Sequence, residues 1–136
     1  MYLSRKILHR ARVAVGVLFW PSLVLVVWGS LIALAVPPID LGLSYEDLIV
    51  HFAAYGGLAA MASMALHSRK SSIRALIGLI ALGALLEFLQ SFTARETSLA
   101  DAIANTAGTI CGGFLGRAIV EPLHRRYVLG REGGPK

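Results

Sequence analysis

The chain has 136 residues, 56% of them hydrophobic, with a mean hydropathy of +0.67 and a net charge of +5. That apolar fraction lies above the usual soluble range and indicates a membrane protein. The positive charge does not mark a nucleic-acid binder, because the basic residues flank apolar runs instead of gathering into one patch.

The first apolar run, 13–36, is 24 residues long and carries no charge. A helix rises about 1.5 Å per residue, so about 20 residues cross a hydrocarbon core of about 30 Å. Ala33-Leu34-Ala35 resembles a signal-peptidase site, but the run is longer than a typical signal-peptide core and reads as a retained anchor. Pro21 is expected to kink this helix and Pro37-Pro38 to stop it. The second run, 48–66, contains His51; the third, 75–92, contains Glu87 and Gln90; the fourth, 99–120, contains Asp101, Asn105 and Arg117. The runs are too long and too unpatterned for barrel strands, so each is expected to be a helix with its backbone satisfied internally. The fold class is therefore all-α, a polytopic membrane protein with four transmembrane helices.

Of the 13 basic residues, 12 lie before the first run, between the second and third, or at and beyond the end of the fourth; Arg95 is the exception. By the positive-inside rule both termini are cytoplasmic and the connections 37–47 and 93–98 face outward. The protein is expected in the inner (plasma) membrane as one domain over 1–126, its basic flanks meeting anionic lipid headgroups. The tail 127–136, with Gly133-Gly134-Pro135, is expected to be disordered. Cys111, the single cysteine, is expected to be a small buried hydrophobe in the fourth helix. The sequence has no Walker loop, no GxGxxG, no GxSxG and no cysteine-based zinc pattern.

Helical spacing brings the ionisable residues to one depth. Asp47, His51 and Tyr55 fall at i, i+4 and i+8, on one face of the second helix. Glu87 lies roughly 7–8 Å short of the outer end of the third helix, with Gln90 three residues on. Asp101 and Asn105 open the fourth helix at i, i+4, and Arg95 lies in the connection before it. A charged residue at a helix centre costs roughly 2.5–3.5 kcal/mol on insertion scales, so these side chains are expected to face one another rather than lipid. Plainer roles exist for several of them. Ser44-x-x-Asp47 and Ser98-x-x-Asp101 fit the capping-box spacing, with Asp in place of Glu, and an Asp in a first turn meets the favourable end of the helix dipole. A lone His51 is more often a satisfied packing residue, and Tyr55 suits a membrane interface. Glu87 is at no helix start and is too short to reach water easily, so it needs a partner or a proton.

Ala104, Gly108, Gly112 and Gly116 repeat every four residues along the fourth helix. Small residues at that spacing let helices approach closely, either within the bundle or as a homodimer face, and Gly78 and Gly83 of the third helix are the expected mates.

The stretch Asp47-Leu-Ile-Val-His51-Phe-Ala-Ala-Tyr55 resembles the DKxxHFxxY motif of the VanZ-like family. Glu87-Phe-Leu-Gln90, Arg95 and Ser98-Leu-Ala-Asp101-Ala-Ile-Ala-Asn105-Thr-Ala-Gly108 resemble its second half, so the likeness covers about residues 44–117. Leu48 stands where the family often has Lys, and any role of that Lys is missing here. The resemblance implies a small integral membrane protein of the bacterial cell envelope, in a family whose named member is linked to teicoplanin resistance; it supplies no reaction.

The first function expected is an outward-facing pocket for a lipid headgroup or a lipid-linked envelope precursor. Arg95 would pair with phosphate, His51 and Tyr55 would donate hydrogen bonds, and Glu87 and Asp101 would orient them. Gln90, Asp47 and Asn105 complete that ligand-binding set. The alternatives are a membrane enzyme using His51, Glu87 and Asp101 as acid and base, and a cluster that only locks the helices together. No cofactor is expected, and a metal held by Asp47, His51, Glu87 and Asp101 is set aside because no established ligand spacing supports it. The expected partners are membrane lipids and an envelope precursor, with no nucleic acid.

Overall fold

Four helices account for the structure, a computed structural model that describes residues 5–31, 46–90, 92 and 99–132. They are α1 (Arg5–Leu31), α2 (Glu46–Ala65), α3 (Arg69–Gln90) and α4 (Leu99–Glu132). The described residues contain no strand. Helices α1, α2 and α3 are long and apolar enough to cross a membrane. Helix α4 is not among them by hydropathy, because Asp101, Asn105, two threonines and four glycines dilute its apolar residues between 99 and 116.

The surface is apolar and much of the interior is polar or small. Trp20, Val24, Ile77, Phe88, Ile103 and Phe114 point outward, whereas His51, Ser63, Ser72, Glu87, Asp101, Asn105 and Thr109 are buried. That inversion suits a lipid surrounding, where apolar side chains need no shielding and polar ones do. A small apolar core of Leu58, Ala59 and Leu79, flanked by Phe19, Leu23, Val26, Met61 and Leu76, ties α1, α2 and α3 together.

The most extensive interface joins α2 to α4. A Cβ on Gly108 would strike the Phe52 carbonyl, one on Gly112 the Gly56 carbonyl, and one on Gly116 would come within 2.5 Å of the Ala60 carbonyl oxygen. Positions 52, 56 and 60 thus meet 108, 112 and 116 in ascending order, so the two helices run parallel, backbone against backbone. The small-residue stripe is therefore used inside one chain, which corrects the expected mates. Gly78 has nothing near it, Gly83 faces Tyr55 and Asn105, and a homodimer would have to use another surface. Ala104 is half-buried at the start of the same stripe. Gly113 instead faces Leu76 of α3.

Helix limits depart from the hydropathy limits wherever hydrogen bonding, not apolarity, decides. Helix α3 begins at Arg69 and not at Ala75 because Ser68 caps it: the Ser71 amide donates to Ser68 Oγ at 3.0 Å, and the Ser72 amide to the Ser68 carbonyl at 3.1 Å. Helix α1 starts in its basic flank and carries Pro21, beside which Ser22 Oγ donates to the Leu18 carbonyl at 2.9 Å. Helix α4 runs through Pro122 to Glu132, so 127–132, expected to be disordered, are helical, while 133–136 lie outside the described residues; Arg, Tyr, Val and Leu continue a helix once it is formed. Cys111 is exposed, not buried, because it sits beside the glycine face and not on it. Pro37-Pro38, Ser44 and Ser98 lie outside the described residues.

Candidate functional site

Helices α1 and α3 pack antiparallel to the parallel pair α2 and α4, which brings four helix ends together. The N-terminal turns of α2 and α4 lie beside the C-terminal turn of α3 and the last turns of α1. From α2 come Asp47, His51 and Tyr55, from α3 Glu87, and from α4 Asp101 and Asn105. His51, Tyr55, Glu87, Asp101 and Asn105 are all buried, while the Asp47 side chain is 58% exposed and forms the rim.

His51 is the centre. Its Nδ1–H donates to Asn105 Oδ1 at 3.0 Å, a bond that joins α2 to α4, and Glu87 Oε1 lies 3.8 Å from the same nitrogen. Its Nε2 faces Asp47 Oδ1 at 3.8 Å and Asp101 Oδ2 at 3.9 Å. One imidazole is thus surrounded by side chains from three helices. The acidic groups are placed with the help of the backbone: Asp47 and Asp101 sit in first helical turns, where the dipole favours an anion. Glu87 lies in the last turn of α3, the unfavourable end of its own helix, with His51 Nδ1 3.8 Å away.

Two features were not anticipated from the residues alone. Gly83 makes room for the site, since a Cβ there would come within 3.1 Å of the Tyr55 ring and 3.3 Å of the Asn105 Cβ. Helix α1 contributes a wall. A cleft of about 240 Å³ lies between α1 and α2, lined by Leu25, Val26, Gly29 and Ser30 on one side and Asp47, Val50, His51, Ala54 and Tyr55 on the other. The signal for that wall was Gly29-Ser30, a small polar break in an otherwise apolar helix. The cleft is apolar along Leu25, Val26 and Val50 and polar at Asp47 and His51. The buried Tyr55 hydroxyl has no hydrogen-bond partner among the described residues.

Of the residues expected at the site, Asp47, His51, Tyr55, Glu87, Asp101 and Asn105 come together. The Gln90 side chain and Arg95 lie outside the described residues. Comparison with protein-family models, curated proteins and solved structures finds no match. The VanZ-like resemblance therefore rests on the motif residues themselves.

Proposed function

We propose that this chain is a VanZ-like protein of the bacterial inner membrane, and that its polar cluster binds the headgroup of a membrane lipid or lipid-linked envelope precursor. The observation that carries the reading is the cleft between α1 and α2. One end is apolar and suits a hydrocarbon chain; the other opens on Asp47 and His51, which can hydrogen-bond a headgroup. Such a division fits an amphiphile lying in the plane of the bilayer edge.

Four membrane crossings belong to this proposal. Helix α4 follows α2 in parallel register from 108 to 116, so it crosses wherever α2 does, its polar residues covered by the bundle. The positive-inside distribution then puts both termini in the cytoplasm and the cluster at the outward face. A role in glycopeptide resistance comes only through the family likeness. Partners are lipids first, and nucleic acid has no place in the reading.

Native mass spectrometry of protein released gently from its own membrane tests this, beside Glu87→Gln and His51→Ala. A lipid adduct of defined mass in the wild type, reduced in both variants, is the expected result. Bare protein in every sample, with the variants less stable, would replace the binding site with a cluster that only holds the helices together.

A further inference from the structure

We propose that Asp47, His51 and Asp101 form a binding site for a divalent transition-metal ion of the zinc or manganese type. One ligand atom from each residue lies within 4.8 Å of the other two. A tetrahedral ion with bonds of about 2.0–2.2 Å sets its ligand atoms roughly 3.3–3.6 Å apart. The separations of 3.8 and 3.9 Å from His51 Nε2 to the two carboxylates are a small contraction away, while the two carboxylates, within 4.8 Å of each other, must close further around the ion. One imidazole nitrogen with two carboxylate oxygens is a donor set for zinc, manganese or ferrous iron, not for a thiophilic ion.

Three further observations favour an ion over a mere acidic cluster. Asn105 accepts the Nδ1–H of His51, which fixes the ring and leaves Nε2 directed at Asp47 and Asp101. That outer hydrogen bond is what metal-bound histidines usually make. Tyr55 lines the same cleft, and its hydroxyl, in a side chain only 1% exposed, has no hydrogen-bond partner among the described residues, which leaves one donor of the polar cluster unused. The three ligands also come from two parallel helices locked by Gly108, Gly112 and Gly116, a rigid frame for a site that must hold its spacing.

The ion deepens the lipid-headgroup reading and rests on it in one respect, the nature of what the open positions take. Carboxylates repel a phosphate, whereas a divalent cation held by them attracts one and leaves positions free toward the cleft. The ion itself is measured without lipid, so the two ideas fail separately.

The test uses the full chain in detergent, without a polyhistidine tag, stripped by chelator and titrated calorimetrically with zinc chloride and separately with manganese chloride. Metal content after desalting is read by mass spectrometry. The wild type is expected to bind one equivalent. Asn105→Ala, which removes the orienting partner, should weaken binding by about 10–100-fold. Asp47→Asn, at the exposed rim where folding is least at risk, and Asp101→Asn should weaken it further. Ser68→Ala, at the other end of the bundle, should bind like the wild type. Helical circular dichroism establishes that each variant is folded. No saturable binding by the wild type, or equal binding by wild type, Asp47→Asn and Asp101→Asn, would overturn the assignment. A lipid adduct seen in metal-free protein would leave the headgroup reading standing without the ion.

Discussion

Helices α2 and α4 meet through backbone, whereas α1 meets the bundle through side chains. The first seam has glycine at 56, 108, 112 and 116; a Cβ at 108, 112 or 116 would strike the α2 backbone, and one at 56 would come within 3.3 Å of the Gly108 carbonyl oxygen. The second relies on Phe19, Leu23 and Val26 lying against Leu58, Ala59 and Leu79, with Trp20, Val24 and Trp28 turned outward. The difference separates two tasks. A backbone seam fixes distance and register, and it is the seam that holds His51 against Asn105. A side-chain contact can shift, and it is on that side that the cleft opens.

The sharpest way to break this division is at Gly112. Its Cβ would enter the Gly56 carbonyl, where only backbone movement could relieve it. Gly112→Ala should cost about 3 kcal/mol or more, at the upper end of overpacking effects, and Gly112→Leu should yield little folded protein. Gly78→Ala, with nothing within 4 Å, is the matched control and should be neutral or stabilising by up to about 1 kcal/mol. Thermal unfolding in detergent reads both.

Next in size is Asn105→Leu. It removes the acceptor of a buried histidine, which should cost about 1–3 kcal/mol in the same assay and abolish ligand retention. Ser68→Ala, at the other end of the bundle, should cost about 1 kcal/mol through the lost cap of α3 and leave the ligand untouched. Smallest of all should be Phe114→Ala. The side chain is 73% exposed on the far face of α4, so the change should stay within about 0.5 kcal/mol.

Much of the site was legible in the residues, for a physical reason. Charge in an apolar run is costly, so Asp47, His51, Glu87, Asp101 and Asn105 had to face one another, and helical spacing set their depth. What could not be read was which helix the glycine stripe serves. A period of four gives a face but not its mate, and the mate turned out to be Phe52, Gly56 and Ala60 on the helix that also carries His51. Helix limits were likewise hidden, because Ser68 acts through hydrogen bonds that hydropathy does not register. The α1 wall was obscured by its own apolarity, with Gly29-Ser30 its only trace.

The central claim, that a lipid headgroup lies between α1 and His51, is tested most directly by photo-crosslinking from inside living membranes. A photoreactive residue replaces Ser30, which lines the cleft, and in a second protein replaces Phe114, which faces away from it. Position 30 should capture one lipid class selectively, and the capture should fall when His51→Ala is added, while position 114 labels bulk lipid regardless. Identical labelling from both positions, unaffected by His51→Ala, would contradict a headgroup site.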